Sequence, residues 1–590
     1  MIKLTHNKDT EYSIIYRINA SESELTAVNN LKKYLFKITG AILCEYTDNK
    51  PDCGKEIIVG YTARGGYDEA LKEKLGDEGY CIKTEGDKIY ILGSEVRGAL
   101  YGVFTFLENQ CGCLFMTRDY EKVPSSGELE IPELDYTEIP VFNSRNAYWY
   151  PVADEDISAK LKLNGNVGRE ISAKYGGGIS YAGDFQHTIG YLAEQCLEGE
   201  RAWHQPCLTD ENVYRTVLKN VRRKLRECPD AKIMSITQND GDKGACKCDR
   251  CREINEREES EMGTMLLFVN RIARELKDEY PDVLFDTFAY RFTRKPPKTI
   301  VPEKNVIVRL CSIESCFRHP HEDCHETPGH PDSNIEPFSD QLVQWSKLTN
   351  HLYIWDYTTD FTNYSTSFMN LPVFRKNLKF FADNGAEGVF EQGNIFCPNG
   401  EFGELKAYLL SRLLWNPYMT EKEYWEQADR FIEGYYGKGG KYIREYIDYM
   451  IECSKDSHFG IYFDNATLYI KPDGFDREID AKFEFVRHSE KLFDNAEALA
   501  ETDEELAHIR CSKIQLLNYE FFALNEYSEM LKADPSKQKE YEENERAIVE
   551  NNKLQYLYMK RYGMICPREF AYMDKLAEPD FRKAALLWEN

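Results

Sequence analysis

At 590 residues the chain exceeds what one hydrophobic core supports, and about three or four domains are expected. A formal charge of −26 opposes phosphate backbones and anionic lipid, and no run approaches the roughly 20 apolar residues of a membrane helix, so neither nucleic acid nor membrane is an expected partner. The opening MIKLTHNKDTEYSIIYRI lacks an apolar stretch with a small-residue cleavage site; a cytoplasmic location is expected, with the 18 cysteines as reduced thiols outside one cluster.

In chain order, EIIVGYTA (56–63) reads as a buried strand and GYCIKTEGDKIYIL (79–92) as a hairpin turning at Gly86-Asp87. A helix follows, with Ala99, Val103, Phe104 and Leu107 on one face and Gly112 just past its end. These elements predict an α/β domain over 1–138. From there to 418, short apolar strands alternate with amphipathic helices, the pattern of parallel α/β architecture. The clearest strands are 231–237, 282–290, 305–313, 351–357 and 385–392; weaker ones fall near 142–148, 160–166 and 178–183. Eight strands close a (β/α)8 barrel, the fold expected for 139–418. Met265, Phe268, Val269, Ile272 and Leu276 mark one intervening helix. Beyond, 419–590 reads as a helical domain, and EYEENERAIVENNK is a charged, solvated helix face.

A (β/α)8 barrel gathers its reacting groups where strands end. Four strands here end in acids: Asp240 after MSITQND, Glu314 after RLCSIES, Asp356 in YIWDY and Glu391 in GVFEQGN. Cleaving a glycosidic bond requires one carboxyl to protonate the leaving oxygen and a second to attack or activate water. Asp240 is the expected proton donor, with Glu391, joined by Asp356, as base or nucleophile; Glu314 is the reserve. Each acid alone has a plainer reading as a helix cap or an arginine partner. Amides and flat rings that suit a sugar stand nearby: Asn239, Tyr290, Trp355, Tyr357 and Gln392, with Arg145, Trp149, His187 and His204 after the early strands. An aromatic content of 13% fits stacking platforms, although most rings belong to the core.

Cys246, Cys248 and Cys251 in GACKCDRC supply three thiols with the spacing of a structural zinc site. Cys207, Cys311, Cys316, Cys324 or a histidine is the fourth candidate, and packed thiols are the alternative. At most one zinc per chain is expected, and no cofactor is required for catalysis. Neither HExxH, a Walker loop, GxGxxG after a strand, nor GxSxG occurs.

The segment EGYCIKTEGDKIYILGSEVRGALYGVFTFLE resembles the non-catalytic α/β domain preceding the barrel in family 20 hexosaminidases and family 67 alpha-glucuronidases. QPCLTD, SITQNDGDKGACKCDRC, FAYRFTRKPP, LCSIESCFRHP, YIWDY and LLSRLLWNP resemble the bacterial group known as domain of unknown function 4838, over roughly residues 50 to 440. The resemblance implies a glycosidase-like barrel. Where family 20 carries an adjacent Asp-Glu pair, this chain has Asn239-Asp240, which departs from the acetamido-assisted mechanism. Family 67 distributes an acid and two carboxylates over several strands, a layout matched in position by Asp240, Asp356 and Glu391. Exo-acting hydrolysis of a carbohydrate is thus the expected function. Its rivals are a non-catalytic carbohydrate-binding protein on a degenerate barrel and a metal-dependent enzyme centred on the cysteines; a homo-oligomer is compatible with either.

Overall fold

The computed structural model describes residues 1–194, 205–241, 244–328, 335–398, 400–462, 470–569 and 571. Its contacts divide the chain into two compact units rather than three: one of residues 1–146, 152–180 and 414–416, the other of 147–151, 181–413 and 417–590. His204 lies outside the described residues.

In the first unit, β1 (Ser13–Tyr16), β2 (Cys44–Thr47), β3 (Glu56–Val59), β4 (Tyr80–Glu85), β5 (Lys88–Gly93) and β6 (Asp135–Glu138) form a mixed sheet in the order β6-β4-β5-β3-β1-β2. The β4–β5 hairpin turns where expected, with Gly86 at φ +60° as the first residue of the two-residue loop, a position that disfavours a side chain. The sheet's alternating side chains bury Ile15, Ile58, Cys81, Tyr90 and Leu92 together with Leu75. The helices α1 (Glu22–Thr39) and α2 (Gly98–Asn109) also belong to this unit. Ser21 caps α1 through a reciprocal capping box with Glu24, which satisfies backbone donors that would otherwise be orphaned.

A second six-stranded sheet consists of β7 (Ser144–Tyr148), β8 (Ile233–Ser235), β9 (Leu284–Ala289), β10 (Val306–Cys311), β11 (His351–Tyr357) and β12 (Ala386–Gln392), in the order β7-β12-β11-β10-β9-β8. The division between the units falls within β7, after Asn146. From β8 to β12 every pairing is parallel. The weak strands near 160–166 and 178–183 are reduced to single parallel bridges, Gly165 to Ile179 and Tyr181 to Ile233. Continuous apolar runs such as VIVRLC and LYIWDY account for β10 and β11, since strands covered on both faces lack a polar side.

Helices intervene between these strands, among them α3 (Glu211–Glu227), α4 (Asp249–Glu258), α5 (Met262–Leu276), α6 (Phe338–Ser346) and α7 (Phe374–Asp383). The later helices α8 (Gly403–Trp415), α9 (Glu421–Tyr436), α10 (Gly440–Cys453), α11 (Glu478–Ala498), α12 (Asp503–Lys532) and α13 (Gln538–Arg561) complete the helical part. The expected helical domain therefore shares a compact unit with the parallel sheet. No described helix is long and apolar enough to cross a membrane.

Candidate active site

The ends of β9 to β12 converge on a cavity of about 270 Å³ in the second unit, just under the ~300 Å³ at which small-molecule pockets usually begin. Side chains alternate along each strand, and one parity faces the cavity: Phe288 and Tyr290 from β9 and its end, Cys311 from β10, Trp355 and Tyr357 from β11, Gln392 from β12. Deeper on the same face Arg309 pairs with Asp286 at 3.1 Å and stands over the rings of Phe185 and Tyr353. Burial raises the Asp286 carboxyl to about 6, although Arg309 pulls the other way. Phe185 stacks on Trp355 with ring centroids 5.1 Å apart. The pocket floor is thus a packed aromatic layer above a buried ion pair.

Asp240 lies at the pocket wall. Its Oδ1 accepts from the Tyr290 hydroxyl at 3.1 Å and from the Gly241 amide at 2.8 Å, and Arg291 Nε donates to the same hydroxyl at 2.8 Å. Burial, followed by the Asp240 charge, pushes the Tyr290 phenol well above its ordinary range, so Tyr290 remains a donor. His187 Nδ1 donates to the Gln238 carbonyl at 2.9 Å, which fixes the ring tautomer. His187 at φ +53° and Arg291 at φ +51° both hold left-handed backbone conformations, strain of a kind that clusters at functional sites. Trp355 Nε1 donates to Gln392 Oε1 at 2.8 Å and so sets the orientation of that amide.

A second carboxyl shares the pocket. Glu569 lies beyond α13 among the lining residues, and its pKa is raised, first by burial and then by the charge of Asp240. The Tyr364 amide donates to the Pro567 carbonyl at 2.7 Å and Cys397 Sγ to the Cys566 carbonyl at 3.5 Å, which holds this segment in place. No strand end or motif marks Glu569 in the sequence.

Six of the residues singled out from the sequence therefore line one cavity: Asp240, His187, Tyr290, Trp355, Tyr357 and Gln392. The others stand elsewhere. Asp356 and Glu391 are register partners on β11 and β12, at positions that alternate with the pocket-lining ones. Asp356 accepts from Ser312 Oγ and lies 3.2 Å from His321 Nε2, whose ring packs against Phe338 and Phe381 of α6 and α7. Glu391 is 1% exposed, and neither of its oxygens has a hydrogen-bond partner. Burial first, and the Asp356 charge second, raise its pKa well above the ordinary range.

Glu314 is ion-paired with buried Arg294 at 2.6 Å. Arg145 belongs to the first unit, where it makes a two-pronged contact with Glu78 at 2.8 and 2.9 Å. Asn239 Oδ1 accepts from the Gly190 amide. Trp149 is fully buried, donates to Thr358 Oγ1 at 3.0 Å, and lies so close to Gly393 that a Cβ there would come within 1.9 Å of the indole.

The cysteine cluster gains its fourth member in Cys207. The sulfurs of Cys207, Cys246, Cys248 and Cys251 all lie within 4.8 Å of one another, with Cys207 3.6 Å from Cys248 and 3.8 Å from Cys251. Tetrahedral zinc with Zn–S bonds of ~2.3 Å separates its sulfurs by about 3.8 Å. The cluster joins the segment before α3 to the start of α4, close to the strand end that carries Asp240.

A family model described as Domain of unknown function (DUF4838) matches residues 115–448, and one described as Glycosyl hydrolase family 67 N-terminus matches residues 3–106. No curated protein matches the chain. Among solved structures, a family GH115 4-O-methyl-alpha-glucuronidase with specificity for decorated arabinogalactans is similar at TM-score 0.62 and 11% identity, over 95% of this chain and 77% of that one. A family 89 glycoside hydrolase from Clostridium perfringens in complex with GlcNAc-alpha-1,4-galactose is similar at TM-score 0.52 and 11% identity, over 91% of this chain and 66% of that one. At these identities the likeness is one of fold.

Proposed function

The chain belongs to the family described as Domain of unknown function (DUF4838), and from that premise, with two carboxyls sharing its pocket, we propose that the protein is a glycoside hydrolase acting on a terminal sugar. The observation that carries this reading is the Asp240–Glu569 pair. Burial and the neighbouring charge keep Glu569 protonated further up the pH scale, as a proton donor to a leaving oxygen must be. Asp240, held by the Tyr290 hydroxyl, is the partner that attacks the anomeric carbon or activates water. This assignment replaces Asp240 as donor and Glu391 as base, because Glu391 does not line the pocket. The family 67 N-terminal match and the two glycosidase-like folds support the same class. The all-parallel run from β8 to β12 supports the barrel expected of this class.

Trp355 and Tyr357 supply flat faces for a sugar ring, and His187 and Gln392 supply groups for its hydroxyls. Among the described lining residues none is Lys or Arg, while two are carboxylic acids. With Glu569 protonated, a uronate carboxylate would still meet the Asp240 charge and no lining cation, so the preferred substrate is a neutral glycoside. A panel of aryl glycosides that includes neutral, acetamido and uronic sugars tests this. Turnover of a neutral member that is lost in both Asp240→Asn and Glu569→Gln is the expected result; turnover retained in both variants rejects the assignment.

The four-cysteine cluster is proposed to hold one structural zinc. Four protein sulfurs leave no open coordination position, which favours a clamp over a metal-centred reaction.

A further inference from the structure

Another set of metal-type donors lies outside the pocket. Cys316, His319 and Cys324 follow β10 with the spacing C-x2-H-x4-C, and His458 comes from the turn after α10. Their ligand atoms all lie within 4.8 Å of one another, with Cys316 Sγ 3.6 Å from His319 Nδ1 and Cys324 Sγ 3.5 Å from His458 Nδ1. Tetrahedral zinc with bonds of ~2.3 Å to sulfur and ~2.0–2.1 Å to nitrogen separates such atoms by about 3.6 Å. The tautomer agrees as well. His319 Nε2 lies 2.8 Å from the Lys455 carbonyl, and a carbonyl only accepts; Nε2 therefore carries the proton and Nδ1 turns its lone pair toward Cys316.

We propose that Cys316, His319, Cys324 and His458 bind a second zinc ion in a Cys2His2 site that fastens the loop after β10 to the segment after α10. Two further contacts run beside it: the Phe317 amide donates to the Phe459 carbonyl at 3.0 Å, and Arg318 Nε to the Ser454 carbonyl at 3.0 Å. Three residues beyond His458 the same segment reaches the pocket, where Ile461 and Tyr462 form part of the wall and the Ile461 carbonyl accepts from the Phe361 amide at 2.8 Å. The zinc touches no substrate. It positions one side of the pocket from behind, and with four protein donors it has no position left for water.

Metal analysis of the full chain, prepared without a histidine tag and incubated with zinc before gel filtration, tests this. The Cys246→Ser/Cys248→Ser double variant isolates the second site. One zinc per chain is expected there, with an X-ray absorption shell of two sulfurs at ~2.3 Å and two nitrogens at ~2.0–2.1 Å. His458 is exposed, so His458→Gln is expected to keep native circular dichroism while holding one zinc fewer than the unsubstituted chain. A folded double variant that takes up no zinc, a shell without nitrogen, or an unchanged zinc content in His458→Gln each overturns the proposal. If the double variant does not fold, the His458→Gln comparison decides alone.

Discussion

The Tyr290 hydroxyl stands between Arg291 and Asp240, receiving a hydrogen bond from the guanidinium Nε at 2.8 Å and giving one to Asp240 Oδ1 at 3.1 Å. Phenol, guanidinium and carboxylate thus form a short polar relay on the pocket wall. Hydrogen bonds to charged groups are worth ~1.5–3 kcal/mol. Tyr290→Phe keeps the ring and removes only the hydroxyl with its two hydrogen bonds, so kcat/KM is expected to fall by about 10- to 100-fold. Steady-state kinetics on the glycoside found by screening provide the check.

The pair of pocket acids predicts both a magnitude and a pH effect. Asp240→Asn and Glu569→Gln should each lower turnover by about two to four orders of magnitude, the usual worth of a positioned proton-transfer group. Glu569 acts protonated, so activity falls as pH rises through its raised pKa, and the basic limb of the rate profile belongs to it. Asp240→Asn removes a charge that raises this pKa. The residual activity of that variant should therefore lose its basic limb at lower pH than the wild type does.

Glu391 gives the opposite kind of prediction. Its carboxyl is buried, unbonded and raised in the folded state, whereas in the unfolded chain it ionises near the ordinary carboxylate range. Its contribution to stability is complete below the unfolded pKa and is lost as pH rises toward the folded one, at about 1.4 kcal/mol per unit of pKa difference. Glu391→Gln should leave stability near pH 4 nearly unchanged, raise it near pH 8, and keep turnover. Urea melts at the two pH values measure the first effect; a loss of turnover comparable to that of Asp240→Asn would return Glu391 to the chemistry.

Glu78 has the reverse sign. Burial alone would raise its pKa, but Arg145 and Arg97 outweigh that and hold it at about 2. The resulting stability, on the order of 3 kcal/mol, is present above the unfolded pKa and lost as pH falls toward 2. Glu78→Gln should destabilise the first unit at neutral pH and flatten its dependence on pH between about 5 and 3, as denaturant midpoints across that range will show.

Long apolar runs made β9 to β12 legible in the sequence, and at or near their ends stand Tyr290, Trp355, Tyr357 and Gln392, which line one cavity. Asp356 and Glu391 stand at positions that alternate with the lining ones, because proximity to a strand end says nothing about parity: one residue along the chain reverses the face, and the polar neighbour of a pocket residue then points the other way. Arg145 and Glu314 looked available for ligand because their partners, Glu78 and Arg294, are distant or unremarkable in sequence. Cys207 was one of several candidates that only spatial proximity distinguishes. Glu569 carried no local signal at all, since its role depends on how a segment after the last long helix is folded back.

That return of the chain has a bearing on biosynthesis. Asp240 is translated more than three hundred residues before Glu569, and even the last pocket strand, β12, is complete well over a hundred residues before it. Every other pocket-lining residue is synthesised before Glu569, so a nascent chain contains its aromatic lining and its first acid well before its second. Hydrolytic competence, on the assignment given above, arrives only when the segment carrying Glu569 docks. On that assignment, a ribosome-bound or prematurely terminated chain that stops before Cys566 carries the aromatic lining with half of the proposed acid–base pair.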